Sequence, residues 1–342
     1  MKKLSFIDQI LYLINAVLVA ALLFSYVLPF LPPKTFSVLS VLSLGVALLI
    51  LVNVLFFLYW FIKLKKHFMI SLFVLVLGYL SFGSLYKFSS SKHIESANNF
   101  KVMNYNVRLF NLYDWIPEKG IETKIIDFIK DESPDILSFQ EYHPHKNIDL
   151  SFFKYKYEKL SGKKTKYGQA IFSQFPIVNS GSIEFPKTGN NAIFADVVKD
   201  TDTIRVYNIH LESMHIDTNV ENLKKEDSER LFKRIGTTFK MQQFQTELFL
   251  MHKKKCHYKM IICGDFNNTA FSYVYRKIKG DLNDTFKEAG NGFGRSYDFK
   301  FFPIRIDFIL ADDAFAVNGF KAFDAHYSDH YPIMSSLSLG EE

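Results

Sequence analysis

The sequence predicts an α+β domain preceded by three membrane-spanning helices. The first observation is a change in composition near residue 98, because three long uncharged stretches lie before it and none follows. The second is that, from Phe100 onward, short apolar runs alternate with turn residues, as is typical of β-strands, and two segments show helical periodicity. We therefore divide the chain into an anchor at residues 1–88, a linker at 89–99 and a folded domain at 100–342.

The uncharged stretches run from Gln9 to Pro33, from Thr35 to Ile62 and from Phe68 to Tyr86. Each is long enough to cross roughly 30 Å of hydrocarbon as a helix, the last only just. A signal peptide followed by buried core helices is the alternative. It explains the first stretch alone, and no small-residue cleavage pattern follows that stretch. The sequence therefore favours an integral membrane protein with the lipid bilayer as a partner.

Lysines flank these stretches unequally. Lys2 and Lys3 precede the first, a lysine cluster at residues 63–66 separates the second from the third, and Lys34 alone lies between the first and the second. Cytoplasmic loops are enriched in lysine and arginine. The pattern therefore predicts a cytoplasmic N-terminus, and three crossings place the domain on the extracytoplasmic side of the inner membrane.

The net charge of +6 belongs to the same part of the chain. Residues 1–97 contain eight lysines, no arginine and two acidic residues, so the remainder is neutral. A protein that binds long nucleic acid shows clustered excess lysine and arginine. The basic isoelectric point consequently gives no support to a nucleic-acid substrate.

The elements of the domain are predicted from periodicity. Helices are expected at about Gly120–Glu132, which Pro134 ends, and at about Thr238–Lys254, with the charged run Glu221–Arg234 as a solvated helical insertion before the second. The alternation of aromatic residues and lysines over Phe152–Tyr157 is typical of a strand. The other predicted strands are Lys101–Tyr105, Ile136–Phe139, Gln169–Phe172, Ala192–Val198, Thr203–Ile209, Met260–Ile262, Ile306–Leu310 and Ile333–Leu337.

Strand after strand ends in a carboxylate, an amide or an imidazole. Loops at strand ends are where catalytic groups gather on a sheet scaffold. Each fragment alone is weak evidence, since a Gly-Asp-Phe-Asn sequence also forms an ordinary turn. In chain order the fragments are Asn104–Arg108, Phe139–Glu141, Tyr207–Leu211, Cys263–Asn267, Arg305–Phe308 and Tyr327–Pro332. Together they resemble the endonuclease/exonuclease/phosphatase (DNase I-like) superfamily over nearly all of Phe100 to Leu339.

This resemblance implies a four-layer α/β-β/α sandwich that hydrolyses a phosphoester with a divalent metal. A hard cation such as Mg²⁺, with Mn²⁺ or Ca²⁺ as alternatives, prefers carboxylate and amide oxygens and binds a phosphoryl oxygen. Glu141 matches the family's main metal ligand and Asn106 the amide beside it. Asp329 resembles either a metal ligand or a partner of the second histidine.

The resemblance also implies the catalytic groups. His330 and Asp307 fit a pair in which the carboxylate holds the imidazole while water is activated. In some branches of the family the aspartate that corresponds to Asp265 is the proposed base, so the choice stays open. His210 fits a donor to a phosphate oxygen or the leaving group, and Asn267 would hydrogen-bond the developing charge.

Arg108 departs from the apurinic endonucleases, which carry an acidic residue at this position. The arrangement is more similar to secreted DNase I, where the arginine can meet a phosphate, and a solvated surface arginine is the alternative. A lipid headgroup or small phosphodiester ranks slightly above DNA or RNA as substrate, so an extracellular nuclease remains an alternative. A non-catalytic membrane-anchored binding or scaffold protein is the rival from another class.

Overall fold

The computed structural model describes residues 4–83, 85–88, 92–163, 165–216, 227–299 and 302–340. Chain contacts divide the protein into two compact units. The first comprises Met1–Leu85, Asp227–Gln243 and Thr269–Arg276. The second comprises Tyr86–Glu226, Phe244–Asn268 and Lys277–Glu342.

The first unit begins with four apolar helices, α1 (Phe6–Ser25), α2 (Pro33–Val41), α3 (Val46–Ile62) and α4 (Phe68–Ser81). By length and composition, Phe6–Phe30 and Pro33–Ile62 suffice to cross a membrane. The third predicted span, Phe68 to Tyr86, contains a helix of 14 residues, which is shorter than that requirement. The helix ends before Gly83, whose φ of +51° is not helical. Three spans therefore stay a prediction.

Buried polar side chains join these helices. Asn15 of α1 donates from Nδ2 to Ser71 Oγ of α4 at 2.8 Å and accepts from Trp60 Nε1 of α3 at 3.0 Å. Near the helix ends, Lys63 Nζ lies 2.6 Å from Asp8 Oδ1. Polar residues on apolar helices stabilise packing when they hydrogen-bond to one another. Helices α1, α3 and α4 therefore form a bundle joined by specific hydrogen bonds.

Two segments from much later in the chain pack within the same unit. Phe271 is buried in a cluster with Leu22, Tyr26, Val46 and Val74 of the apolar helices. Because the Asp265–Asn267 fragment precedes this segment directly in sequence, the chain passes from a predicted site motif into residues that pack on the apolar helices.

The second unit contains two six-stranded sheets. Their strand orders are β11-β12-β1-β2-β4-β3 and β5-β6-β7-β8-β10-β9. The helices that follow α4 are α5 (Ile121–Glu132), α6 (Ser228–Lys253), α7 (Tyr273–Lys279) and α8 (Thr285–Ala289). The strands are β1 (Phe100–Asn106), β2 (Ile136–Tyr142), β3 (Tyr155–Ser161), β4 (Tyr167–Ser173), β5 (Ile177–Glu184), β6 (Asn191–Lys199), β7 (Asp202–His210), β8 (Lys259–Asp265), β9 (Asn283–Asp284), β10 (Asp307–Ala311), β11 (Phe315–Ala322) and β12 (Ile333–Leu339).

The two sheets pack face to face through aliphatic side chains. Val102, Ile136 and Ile171 of the first sheet share a buried cluster with Val206 and Ile261 of the second. Met103 and Leu137, which follow Val102 and Ile136 in β1 and β2, lie on the other face of this sheet and pack on α5. Strands buried on both faces appear in sequence as continuous apolar runs. The predicted α+β sandwich is confirmed, and these runs are the reason it was predictable.

The outer layers also follow from the sequence pattern. Ile121, Ile125 and Ile129 of α5 share a cluster with Met103 and Leu137 of the first sheet. On the second sheet, Phe249 of α6 packs edge-to-face on Tyr207, with ring centroids 5.0 Å apart. Both helices therefore use one apolar stripe to cover a sheet.

Helix α6 begins earlier than the sequence predicts. Asp227 accepts a hydrogen bond through Oδ1 from the backbone N–H of Arg230 at 2.8 Å, as an N-terminal cap does. The part of the predicted insertion up to Glu226 lies outside the described residues, whereas Ser228–Arg234 forms the first turns of α6. Strand β5 was not predicted because none of its residues is buried, and β9, α7 and α8 were not predicted because they are short. Strand β11 was missed because Asn318 and Gly319 interrupt its apolar residues at a register shift.

The described part of the predicted linker is bound to the second unit. Lys92 donates its backbone N–H to Ala289 at 3.0 Å and its Nζ to the Val317 carbonyl at 2.8 Å. The N–H of Ile94 donates to Asn318 at 2.9 Å. Residues 92–94 therefore lie along β11 instead of forming a free spacer.

The backbones of β7 and β8 approach each other closely at Gly264, so we expect a side chain at this position to be destabilising. Gly264 pairs with Ile209 in the parallel register of β7 and β8, and a Cβ at Gly264 would lie 2.1 Å from the Ile209 carbonyl oxygen. We expect Gly264→Ala to lower the free energy of unfolding by about 2 kcal/mol or more, because one strand must move away from the other. Thermal unfolding of the detergent-solubilised full chain measures this change.

Gly189→Ala is the matched control. The nearest atom to a Cβ at Gly189 is the Tyr167 hydroxyl oxygen at 3.6 Å, which is ordinary van der Waals contact. We expect its Tm to equal that of the unmodified chain. Equal Tm values for the two variants would contradict the assigned strand register.

Candidate active site

Strand register brings the predicted polar residues to neighbouring positions. In the first sheet, Asn106 pairs with Gln140 of β2, one residue before Glu141. In the second sheet, Asp265 pairs with both His210 of β7 and Asp307 of β10. A hydrogen bond from Asn106 Nδ2 to Asp265 Oδ2 at 3.1 Å joins the two sheets. Five of the six sequence fragments thus meet at one end of the sandwich.

Glu141 projects from an irregularity in its strand. The register of β2 against β4 shifts between Phe139 and Tyr142, and Glu141 has a φ of +50°. Irregularities of this kind re-aim a side chain beside active sites. The side chain accepts from Asn106 Nδ2 through Oε1 at 3.3 Å. Burial, followed by the nearby carboxylate of Asp329, raises the pKa of Glu141 above its ordinary value.

His330 is held by two aspartates. Its Nδ1 lies 2.9 Å from Asp307 Oδ2, and its Nε2 lies 3.6 Å from Asp265 Oδ2. Burial lowers the pKa of His330, but the carboxylates of Asp307, Asp265 and Asp329 outweigh it and raise that pKa to about 10. The three carboxylates therefore favour the protonated, cationic form of the buried His330 ring.

Asp265 occupies the centre of the group. Its Oδ1 accepts from the backbone N–H of Asn267 at 2.7 Å, and its Oδ2 lies 3.7 Å from His210 Nε2. Burial raises the pKa of Asp265 to about 7, against the opposing effect of the His330 charge. Burial and the same charge lower the pKa of His210 to about 3. The two histidines consequently differ in charge, with His210 neutral.

Arg108 and Asp329 form an ion pair at the exposed side of the group. Arg108 Nη1 lies 3.2 Å from Asp329 Oδ2, and the guanidinium lies 4.4 Å from the ring centroid of Trp115. The Arg108 side chain is 34% exposed. Ser328 Oγ donates to Asp329 Oδ1 at 3.2 Å. Arg108 thus lies beside the site, paired with Asp329 and stacked on Trp115, and its role in binding phosphate stays a prediction.

Asn267 has a left-handed backbone with a φ of +48°. Its Nδ2 donates to the Leu211 carbonyl at 2.9 Å, which holds the amide next to the end of β7. The structure therefore gathers all of the predicted site residues, which are Asn106, Arg108, Glu141, His210, Asp265, Asn267, Asp307, Asp329 and His330.

A series of buried amides continues from the site into the sandwich. Gln140 Nε2 donates to Asn104 Oδ1 at 2.8 Å and to Asn208 Oδ1 at 2.5 Å, and Asn104 Nδ2 donates to Asp307 Oδ1 at 3.4 Å. The sequence fragments contain these amides, but we assigned them no role. Their signal was a polar residue at an inward position of an apolar strand, where an unpaired amide is costly.

Tyr297 also contacts the site without a sequence signal. Its ring lies 4.9 Å from the His330 ring in an edge-to-face arrangement, and the two residues form an isolated β-bridge. The segment that carries Tyr297 has no apolar pattern, so sequence reasoning did not place it near His330. Tyr297 restricts how His330 can turn.

The oxygen atoms of the site suit a hard divalent cation. Burial and the nearby Asp329 carboxylate raise the pKa of Glu141, whereas His330 and Arg108 lower it, so the oxygens of Glu141 and Asp329 lie close to one another. Asn106 presents its amide nitrogen to Glu141, so binding a cation through its oxygen requires the amide to turn. Among the described residues, Asp265, Asp307 and His330 also offer ligand atoms within 4.8 Å of one another. In that group His330 Nδ1 is already paired with Asp307.

The burial of Glu141 beside Asp329 gives a prediction for the metal-free chain. We expect Glu141→Gln to raise the free energy of unfolding by roughly 1 kcal/mol without metal, because it removes a buried charge next to Asp329. Added Mg²⁺ or Mn²⁺ should raise the Tm of the unmodified chain but not that of the variant. Differential scanning fluorimetry with EDTA or with metal measures both effects.

Glu184→Gln is the control, since Glu184 pairs with Lys159 on the surface with 64% of its side chain exposed. It should respond to metal like the unmodified chain. The assignment of Glu141 to the metal would be wrong if Glu141→Gln kept the full metal-induced increase in Tm.

Comparison with solved structures identifies the same fold. An endonuclease/exonuclease/phosphatase family protein from Bacteroides thetaiotaomicron has a TM-score of 0.55 and 18% identity, and covers 72% of this chain and 100% of its own. The human Nocturnin catalytic domain with bound sulfate has a TM-score of 0.53 and 18% identity over 71% of this chain and 94% of its own. TDP2 from D. rerio, complexed with a single strand DNA product, has a TM-score of 0.51 and 15% identity over 70% of this chain and 99% of its own.

Sequence comparison separates the two parts of the chain. No curated protein matches it. A family model described as a domain of unknown function matches residues 8–85, which contain the apolar helices. The model of the Endonuclease/Exonuclease/phosphatase family matches residues 103–330, more than half of the chain and the whole of the site. The resemblance of the six polar fragments is thereby confirmed, and the chain belongs to the endonuclease/exonuclease/phosphatase family.

Proposed function

We propose that this chain is a divalent-metal-dependent phosphoester hydrolase, held on the extracytoplasmic side of the inner membrane by its N-terminal helices. The observation that carries the proposal is the joint placement of Glu141, Asp265 and the Asp307–His330 pair at one end of the sandwich. Members of the family are phosphoester hydrolases, generally dependent on a divalent metal. The site has the charge and the proton-transfer groups that this reaction needs.

The pKa values favour a division of labour between Asp265 and His330. A general base works best when its pKa lies near the operating pH, and burial brings the pKa of Asp265 to about 7. His330, whose neighbouring carboxylates raise its pKa to about 10, stays cationic and suits stabilisation of a phosphoryl oxygen. Asp265 therefore takes the proton from the attacking water, while Asp307 fixes the orientation of His330.

The remaining polar groups bind the phosphoester. His210 is neutral because burial lowers its pKa, so it donates one ring N–H to a phosphate oxygen or to the leaving group. Arg108 and Asn267 add donors at the exposed side of the site. When bound at Glu141, with Asn106 and Asp329 nearby, Mg²⁺ would neutralise charge on a phosphoryl oxygen. Mn²⁺ and Ca²⁺ accept the same oxygen ligands.

A lipid headgroup or another small phosphodiester is the preferred substrate class. The domain carries no net charge beyond residue 97, so it lacks the excess of cations that binds long nucleic acid. Two of the N-terminal helices are long and apolar enough to cross a membrane, which favours a substrate that is present at the bilayer. A panel of lipid, inositol and nucleic-acid phosphoesters decides between substrate classes.

An extracellular nuclease is the second candidate. TDP2 from D. rerio, which shares the fold, was solved with a single strand DNA product. At 15% identity that likeness concerns the fold, so it does not outweigh the neutral charge of this domain. A non-catalytic scaffold is the rival from another class. Retention of Glu141, His210, Asp265 and His330 in one group argues against it.

Hydrolysis of bis-p-nitrophenyl phosphate tests the enzymatic proposal. The detergent-solubilised full chain should release p-nitrophenol with Mg²⁺ and lose that activity in EDTA. We expect His330→Ala to lower kcat at least about 100-fold, because it removes the cation proposed to stabilise the phosphoryl oxygen. The release of p-nitrophenol, followed by absorbance, measures the rate.

His326→Ala is the control for the histidine substitution. His326 lies four residues earlier, pairs with Asp324 at 3.2 Å and has 61% of its side chain exposed. Its rate should equal that of the unmodified chain. Equal rates with Mg²⁺, with EDTA and for His330→Ala would exclude the hydrolase proposal and favour the scaffold.

The proposed topology has a separate test. Alkaline phosphatase is active only where its disulfides form, outside the cytoplasm. The lysine distribution and three crossings predict that a fusion of this enzyme after residue 340 is active. An expressed but inactive fusion would place the domain in the cytoplasm and reduce the number of crossings to an even value.

A further inference from the structure

The loop that follows the site residue Arg108 has an unusual backbone. Positive φ values occur at each residue from Arg108 to Asn111 and again at Asp114. The side chain of Asn111 closes the loop, since its Nδ2 donates to the Ile116 carbonyl at 2.8 Å and its Oδ1 accepts from the Ile116 N–H at 2.9 Å. Positive φ is costly for residues other than glycine. The surrounding contacts therefore hold one specific conformation.

This conformation separates buried from exposed apolar side chains. Phe110 is buried, with its ring 5.6 Å from that of Phe139. The next apolar residues point outward, because Leu112, Tyr113 and Trp115 are 38%, 59% and 41% exposed. We call residues 112–115 the aromatic loop. A single exposed apolar residue needs no explanation, but three within four residues, held in one conformation around the exposed Asp114, mark a contact surface.

The aromatic loop is attached to the site through Arg108. The guanidinium of Arg108 lies 4.4 Å from the Trp115 ring centroid while Nη1 pairs with Asp329. A surface that contacts the aromatic loop therefore also approaches the proposed phosphate-binding arginine.

The composition of the loop favours a bilayer over a nucleic acid. Tyrosine and tryptophan concentrate at membrane–water interfaces, since each has an apolar body and a polar tip. A site for single-stranded nucleic acid combines aromatic side chains with a positively charged groove. Arg108, which lies over the Trp115 ring, is itself paired with Asp329, and the chain beyond residue 97 carries no net charge. The exposed aromatic residues therefore fit a membrane interface better than a nucleic acid.

We propose that the aromatic loop inserts Leu112, Tyr113 and Trp115 into the headgroup region of the bilayer that anchors the chain, and so holds Arg108 at the level of lipid phosphates. This inference rests on the proposed membrane anchoring and narrows the proposed substrate class to phosphoesters of membrane lipids. It makes Leu112, Tyr113 and Trp115 positioning residues for a lipid substrate. None of the three touches the reacting atoms.

The native tryptophans make the proposal testable without measuring hydrolysis. The sequence contains two, and the other, Trp60, is fully buried in α3. The emission of Trp115 is obtained by subtracting the fluorescence spectrum of the Trp115→Phe variant from that of the full chain. Both proteins are reconstituted in phosphatidylcholine vesicles. Interfacial insertion reaches roughly 5–10 Å into the headgroup and acyl boundary. We therefore expect lipids with a nitroxide near the headgroup to quench Trp115 at least about twofold more than lipids with a nitroxide at the chain terminus.

A tryptophan at another exposed aromatic position is the control. Tyr258 is 45% exposed and directly precedes β8, so it lies at the opposite end of this strand from the site residue Asp265. In the Trp115→Phe background, Tyr258→Trp should be quenched equally weakly by both lipids. Equal quenching at positions 115 and 258, or none at Trp115, would overturn the proposal.

The nucleic-acid alternative has its own outcome in the same experiment. A change in Trp115 emission on addition of a single-stranded oligonucleotide, without quenching by nitroxide lipids, would overturn bilayer contact and assign the loop to nucleic acid. Because no step of this test depends on catalysis, an inactive but lipid-quenched chain would reject the hydrolase proposal and keep the loop inference. An active chain without quenching would keep the hydrolase proposal and reject the loop inference.

Discussion

The arrangement of this site depends on placing several carboxylates in one buried group. Asp265 and Asp307 are almost entirely shielded from water, and Glu141 lies across the sheet boundary from them. Charged carboxylates are stable in such surroundings only with cations and hydrogen-bond donors close by. The imidazolium of His330, the amides of Asn104 and Asn106 and the backbone N–H of Asn267 meet this requirement. Burial raises the pKa of Glu141, and a divalent cation bound at this carboxylate would stabilise its charged form.

Much of the fold and the membership of the site were predictable from the sequence. Both follow from one property of a sandwich, namely that its strands are apolar until they leave the core. Strand ends were therefore visible as the points where Asn106, Glu141, His210 and Asp265 interrupt apolar runs, and the structure brings these residues together. Strand β5 was missed because a strand without buried residues resembles a loop in sequence, and β11 because Asn318 and Gly319 interrupt its buried apolar residues.

The features of the site that the sequence did not predict depend on contacts between residues that are distant in sequence. The link from Gln140 to Asn104 and Asn208 joins three strands, and a pattern along one strand cannot reveal it. The stacking of Arg108 on Trp115 depends on a run of positive φ values in residues that do not favour them. The pKa difference between His210 and His330 arises from the number of carboxylates around each ring, which only coordinates supply.

The docking of residues 92–94 on β11 has a consequence for how this sheet avoids association with other chains. Strand β11 lies at the end of the first sheet, and unpaired edge strands can pair with strands of other molecules and aggregate. The bridge between His93 and Gly319 and the hydrogen bond from Ile94 to Asn318 occupy part of that edge. A fragment that starts at Asn98 would lack this cover. The chain just beyond the apolar helices therefore shields part of the β11 edge from pairing with strands of other molecules.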